Sequence, residues 1–281
     1  LVHHQSFPSD LVETRPVDVW LPEGYSTSES RRYPVIYMHD GQFIFDQPLS
    51  PYTSIWERIK GSFYGGLFWN VDEIMSRLIA DELIPPVMVV SVWNLPDVKR
   101  RTEYMPQKPV TEQVDEILRG ESDITREAIT SDNYLKFLVS ELKPFIDKTY
   151  RTKPDSKNTV IMGSSMGGLI SAYAISEYPE VFGAAACLST HWGLGGGAVV
   201  EWYKKTWPTA GKHRLYFDYG TKMLDADYEP FQKEMDAVLR QKGFRQNEDW
   251  ITRRFEGANH TPKAWRDRLH IPITFLLGTQ Q

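Results

Sequence analysis

Short, nearly continuous apolar runs recur along the chain: PVIYMHD at Pro34–Asp40, PVMVVSVW at Pro86–Trp93, TVIMG at Thr159–Gly163, GAAACLS at Gly183–Ser189 and RLYFDYG at Arg214–Gly220. Strands buried on both faces read this way, because neither face alternates toward solvent. VDVWL at Val17–Leu21 alternates apolar and polar positions and predicts a half-exposed edge strand. Between the runs, apolar residues recur at helical spacing. Val71, Ile74, Met75, Leu78 and Ile79 form one stripe, and Leu135, Leu138, Val139, Leu142 and Ile146 a second. Phe231, Met235, Val238 and Leu239 form a third, ended by Gly243. This alternation predicts an α/β protein with a mostly parallel sheet covered by helices on both faces. Ligands of such sheets bind beyond the carboxyl ends of the strands. The residues just after each apolar run are therefore where chemistry is expected.

After the run at Thr159 stands Gly163-Ser164-Ser165-Met166-Gly167, a G-x-S-x-G between a predicted strand and a predicted helix. Its glycines permit a tight turn, and the turn presents the Ser165 hydroxyl at the positive end of the helix. The competing reading is a small-residue turn that only lets a helix pack close to a strand. A serine nucleophile needs a base. His3 and His4 belong to a loose N-terminal end, while His213 and His270 are badly placed. His39 falls in a segment with another role, and His191 follows a strand and could reach the site. His260, in FEGANHTPKAW after the strand-like ITRRF, best fits the chain order Ser, acid, His.

The acid is expected soon after RLYFDYG. Asp225 is the choice and Asp227 the reserve, with Asp218 inside the strand less suited. Each has the bland alternative of capping the next helix. Oxyanion donors are expected from the backbone N–H of Met166 and, in YMHDGQFIFD, from that of Gln42, with Gly41 allowing close approach. No His or Cys cluster has metal-ligand spacing, so no metal site is expected.

Composition narrows the function classes. The 281 residues carry a net charge of −5, which argues against a nucleic-acid groove or an anionic membrane surface as partner. No apolar stretch approaches the ~18 residues of a membrane span. The one cysteine, Cys187, excludes an intrachain disulfide. A start at Leu1 rather than Met slightly favours a periplasmic or secreted protein over a cytoplasmic one. The chain reads as a single domain, 1–281, without repeats or linkers, and a homodimer is compatible with it. Insertions near 47–70 and 100–130 are expected to cover the site. The first holds an aromatic cluster, Tyr52–Trp69, which with Arg100 and Arg101 could receive a hydroxycinnamoyl or catechol group, or serve as structural cover. Lys108, Lys204 and Lys205 read as solvated charges.

Together the segments resemble the esterase-D-type α/β-hydrolases, which include feruloyl and acetylxylan esterases, enterochelin esterases and S-formylglutathione hydrolases. The matching pieces are VDVWLPEGY, YPVIYMHDGQFIFD, VVSVWN with RRTEYMP, IMGSSMGGLISAYAISEYPEVFGAAACLSTHW, LYFDYGT and EGANHTPKAWRDRL, spread from about Val17 to Leu277. The resemblance implies an α/β-hydrolase fold, Ser165 as nucleophile, His260 as base and an acid soon after Gly220. Many members carry that acid where this chain has Met223, so Asp225 is a departure from the pattern. STHW at Ser189–Trp192 follows another strand, and His191 and Trp192 are expected to line the pocket.

The expected activity is carboxylic-ester hydrolysis through an acyl-enzyme, without a cofactor. The first expected substrates are feruloyl or acetyl esters of polysaccharide, then siderophore esters, then S-formylglutathione. Two other readings use the same fold: a catalytically inactive binding module, which loss of the serine, histidine or acid would favour, and a transacylase.

Overall fold

A computed structural model describes residues 1–45, 66–112, 118 and 123–278. Eight strands form one sheet: β1 (Val2–Phe7), β2 (Arg15–Trp20), β3 (Val35–Met38), β4 (Met88–Val92), β5 (Thr159–Ser164), β6 (Ala184–Leu188), β7 (Arg214–Gly220) and β8 (Trp250–Phe255). Their spatial order is β1-β2-β4-β3-β5-β6-β7-β8. β1 and β2 run antiparallel, and every pair from β4 to β8 is parallel. Each apolar run of the sequence became one of these strands.

The edge assignment needs correction. The expected edge strand at Val17–Leu21 is β2, which lies one strand inward, and the supposedly loose N-terminus is the edge strand β1. Asp18, the polar position that made β2 look half-exposed, is buried and paired, and so is Arg15 at the start of the strand. Asp18 accepts hydrogen bonds from Trp93 Nε1 (2.8 Å) and contacts His3 Nδ1 (2.7 Å). Arg15 forms a two-pronged pair with Glu103 at 2.6 and 2.7 Å. β1 itself is mostly exposed, so it carries no apolar period to read.

The described helices are α1 (Val71–Ala80), α2 (Val98–Tyr104), α3 (Gln107–Glu112), α4 (Ser131–Phe137), α5 (Lys143–Thr149), α6 (Met166–Glu177), α7 (Ala198–Thr206), α8 (Glu229–Gln241), α9 (Pro262–Arg268) and α10 (His270–Leu277). A π-helical turn, Leu138–Leu142, joins α4 to α5 within the second predicted stripe. Successive strand residues face opposite sides. Val35 and Tyr37 pack with α4 and α6, while Ile36 and Met38 pack with α1 and α10. Met166 to Ile175 in α6 are all buried, as befits a helix enclosed on every side.

The chain leaves β3 toward β4 and later returns on its other flank as β5. Between β3 and β5 the connections diverge, and the crevice of such a sheet opens there. Register carries this edge sideways: Ser164 is opposite Leu188, Leu188 opposite Asp218, and Gly220 opposite Phe255. Segments that follow β5, β6, β7 and β8 therefore start side by side. Residues 46–65, within the expected insertion near 47–70, and parts of the one near 100–130 lie outside the described residues, as does most of the aromatic cluster.

Candidate active site

Ser165 caps α6 with φ 58° and ψ −122°, a left-handed backbone that is strained for a residue with a side chain. Its neighbours hold it there. Ser165 N–H donates to Leu188 O (2.9 Å), and its carbonyl accepts from Leu169 (3.1 Å) and His191 (3.3 Å). Gly163 explains the small residue before it, since a Cβ there would stand 2.7 Å from the Gly167 carbonyl. Ser164 and Met166 are buried while Ser165 is only half-buried, so the turn offers one hydroxyl to the crevice.

His260 lies in the loop after β8, and its Nδ1 is 2.5 Å from Asp225 Oδ1. Asp225 sits in a short 3-10 turn (Met223–Asp227) after β7 and is fully buried. Its Oδ2 accepts from Ser189 Oγ (2.6 Å) and Gly220 N–H (2.7 Å). Burial alone would raise its carboxyl, but the hydrogen bonds from His260, Ser189 and Gly220 outweigh it and hold the group below its ordinary value. An ionised carboxylate only accepts, so Nδ1 of His260 carries the proton and Nε2 is left as acceptor. Asp227, the reserve acid, is exposed.

Behind Asp225 lies a buried cluster. Ser189 Oγ accepts from Arg268 Nη2 (2.8 Å) and Trp265 Nε1 (3.0 Å). Arg268 also grips Asp218 at 2.7 and 3.0 Å, and Tyr216 OH donates to Asp218 at 2.9 Å. Trp265 meets His260 edge-on, with ring centroids 5.0 Å apart.

The loop after β3 meets the start of α6: a Cβ on Gly167 would lie 3.2 Å from Asp40 Oδ2 and 3.4 Å from His39 Cβ. Asp40 is left-handed (φ 59°) and is gripped by Arg100 Nε (2.6 Å), Arg100 Nη2 (2.8 Å) and Asn94 Nδ2 (2.5 Å). Burial raises the Asp40 carboxyl, but Arg100 and Asn94 together hold it below its usual range. Gly41 leaves no room for a side chain, since a Cβ would come within 2.6 Å of Trp93. Gln42 then sits in a 3-10 turn, Gly41–Phe43. Gln42 and Met166 both occupy first-turn positions, whose amides lack partners within their own helices.

His191 and Tyr228 close the circle. His191 Nδ1 is 2.8 Å from Tyr228 OH, and the Tyr228 ring stands edge-on to His260 at 5.8 Å. His191 is thus tied to Ser165 through its backbone and to His260 through Tyr228. Burial, then the nearby His260 and Arg100, push the His191 imidazole down to about 4, so it is neutral at pH 7.

Trp192 corrects an expectation. It was expected to line the pocket, but it is fully buried, packs on Tyr203 and Phe217, and donates its indole N–H to Gln232 (2.8 Å). The turn after β6 buries Trp192 and leaves His191 half-buried. Arg100 is committed to Asp40, Arg101 pairs with Asp123, and Lys108 and Lys204 pair with Glu177 and Glu201. Ser189, Arg268, Asp218, Tyr228 and Asn94 escaped the sequence reading, which had only Asp218 as a poor acid. A serine or arginine buried among apolar runs gives no local pattern that distinguishes a partner of Asp225 from a surface residue. Among the described residues, no group of three His, Cys, Asp or Glu side chains could hold a metal ion, and no helix is long and apolar enough to cross a membrane.

The pattern of the family described as "Putative esterase" matches residues 9–270. The endo-1,4-beta-xylanase/feruloyl esterase of Xylanibacter ruminicola is 29% identical over 258 residues, 89% of this chain but 27% of that protein. The chain thus spans about a quarter of that relative. The uncharacterized protein YbbA of Bacillus subtilis is 22% identical, with 94% and 93% of the two chains covered. Among solved structures, a ferulic acid esterase superposes with TM-score 0.63 at 17% identity, covering 98% and 97%. The enterobactin esterase of Shigella flexneri gives 0.69 at 18%, covering 98% of this chain and 57% of that one. These structural likenesses carry the fold, and the family match carries the membership. The chain belongs to the "Putative esterase" family and has the α/β-hydrolase fold.

Proposed function

We propose that the protein is a serine esterase acting through an acyl-enzyme, with Ser165 as nucleophile, His260 as base and Asp225 as the orienting acid. The observation that carries this reading is the 2.5 Å contact between His260 Nδ1 and Asp225, placed at the same sheet edge as the strained Ser165 turn. His260 Nε2 takes the Ser165 proton as Oγ attacks the ester carbonyl. The imidazolium that forms is stabilised by Asp225. The N–H groups of Met166 and Gln42 hold the oxyanion, each worth about 2.7–4 kcal/mol in the transition state. His260 then protonates the leaving alcohol, and water, activated the same way, releases the acid and restores Ser165. The scheme uses no cofactor.

The first substrate class is a feruloyl or acetyl ester of polysaccharide, a reading supported by the likeness to the Xylanibacter xylanase/feruloyl esterase. A siderophore ester is the second, supported by the superposition on the enterobactin esterase. The inactive-module reading loses ground because the serine, histidine and acid are all present with an intact His260–Asp225 contact. The test is hydrolysis of p-nitrophenyl acetate and labelling by a fluorophosphonate, with Ser165→Ala beside wild type. Turnover and labelling that vanish in Ser165→Ala support the reading, and their persistence in the variant sinks it. Methyl ferulate, acetylated xylan and a catecholate trilactone then rank the substrate classes.

A further inference from the structure

Ser189 Oγ stands at the centre of the buried cluster behind Asp225, fully excluded from solvent. A hydroxyl has one hydrogen to give and two lone pairs to receive. Both acceptor positions are filled, by Arg268 Nη2 at 2.8 Å and Trp265 Nε1 at 3.0 Å. Neither donor can accept in return: a guanidinium and an indole N–H only donate. The single Ser189 hydrogen therefore goes to the third neighbour, Asp225 Oδ2, at 2.6 Å.

We propose that Ser189, clamped by Arg268 and Trp265, is a positioning residue for the catalytic acid: it ties Asp225 Oδ2 in place and thereby reserves Oδ1 for His260. This rests on the reading of Asp225 as the acid of the Ser165–His260 site.

The backbone is arranged for the same end. Ser189 is left-handed (φ 41°), and its N–H donates to the Asp218 carbonyl and to Asp218 Oδ1, each at 3.0 Å. Asp218 is thereby assigned a role other than acid. It neutralises Arg268 through two contacts, so that Arg268 can approach Asp225's partner without discharging Asp225 itself. Arg268, Asp218 and Asp225 together carry one net negative charge, which the imidazolium balances when His260 takes the Ser165 proton. Gly220 N–H adds a second tie to Oδ2 at 2.7 Å, so the carboxylate cannot rotate without breaking two buried hydrogen bonds.

The experiment is a double-substitution cycle on p-nitrophenyl acetate, with wild type, Ser189→Ala, Asp225→Ala and the pair. Ser189→Ala alone is expected to lower kcat by about 10–100-fold with KM held, the cost of a misplaced catalytic group. In the Asp225→Ala background the same change is expected to cost no more than about twofold, because there is no carboxylate left to position. A purely structural serine would instead lower activity by the same factor in both backgrounds, and that outcome overturns the proposal, as does an unchanged kcat in Ser189→Ala. If Ser189→Ala does not fold, Ser189→Cys, which keeps the size and a weak donor, is read in the same cycle, with a smaller loss expected. Full activity of Asp225→Ala is a separate outcome: it removes Asp225 as acid and the proposal with it, whereas equal losses in both backgrounds remove only the role of Ser189.

Discussion

His260 Nδ1 stands 2.5 Å from Asp225 Oδ1 across thirty-five residues of sequence, a span that holds all of α8 and β8. The sheet makes the meeting inevitable. β7 and β8 are parallel neighbours with Gly220 opposite Phe255, so the segments leaving them emerge together. The two loops are then locked: Thr221 and Lys222 N–H both donate to the Ala258 carbonyl at 3.0 Å. A Cβ at Gly220 would lie 2.3 Å from that carbonyl, so only glycine permits the approach.

Replacing the proposed acid tests this relationship directly. Asp225→Asn keeps the shape but no longer favours the proton on His260 Nδ1, and kcat is expected to fall by roughly 10⁴-fold, as loss of the correct tautomer does in other triads. Asp227→Asn, on the exposed neighbour, is expected to leave kcat unchanged. Steady-state kinetics on p-nitrophenyl acetate separate the two, and the reverse ranking would move the acid to Asp227.

The loop proposed to hold the oxyanion depends on a missing side chain. In Gly41→Ala the new Cβ would meet Trp93 and the Val92 backbone at 2.6–2.8 Å, so the loop must shift and carry Gln42 N–H with it. Loss of one oxyanion donor costs about 10²–10³ in kcat. The prediction is a fall of that order with fluorophosphonate labelling slowed in parallel. Wild-type labelling rates in a folded Gly41→Ala protein would remove Gln42 from the oxyanion site.

Trp192 is a core residue rather than a pocket wall, and stability should report it. Trp192→Ala is expected to cost about 3–5 kcal/mol, from the cavity and from leaving Gln232 without its indole donor. Trp192→Phe is expected to lower the melting temperature while leaving KM within about twofold. A large KM change at unchanged stability would restore it to the pocket.

Acid should weaken the fold through two buried imidazoles. Burial pushes His39 down to about 4, with Asp40 partly opposing and Arg100 assisting, and His191 is likewise held at about 4. The unfolded chain takes up these protons near pH 6.5. Stability from both groups is therefore complete above about pH 6.5 and is lost as the pH falls toward 4. Asp40 and Asp225, held low in the folded state, add a loss only below the ordinary carboxylate range. Melting temperatures between pH 7.5 and 4.5 should fall steadily, and His39→Gln should reduce the slope. A flat profile would contradict the neutral, buried state of both imidazoles.

The sequence by itself determined the sheet and the order of its chemistry. Five apolar runs and three amphipathic stripes were legible because burial on both faces of a strand, or on one face of a helix, leaves a local period. Ser165 and Asp225 follow such runs and His260 follows the strand-like ITRRF. Neighbouring strand ends of a parallel sheet lie side by side whatever lies between them in sequence, so the contact of Asp225 with His260 was open to expectation. The choice between Asp225 and Asp227 was not open to the sequence, since both follow the same run, and burial separates them.

What only the tertiary structure decided has no local period. β1 is nearly all exposed, and its place at the edge is set by its pairing with β2. Asp18 looked solvated because the partners that make its burial affordable, Trp93 and His3, come from distant segments. Trp192 and His191 are adjacent in sequence, yet one packs in the core and the other faces the site, a choice made by the turn after β6. Ser189, Arg268 and Asp218 belong to three separate strand or helix ends. Their joint role exists only once the register brings those ends together, since hydrogen bonding among buried side chains is a property of the packed sheet edge and not of any stretch of chain.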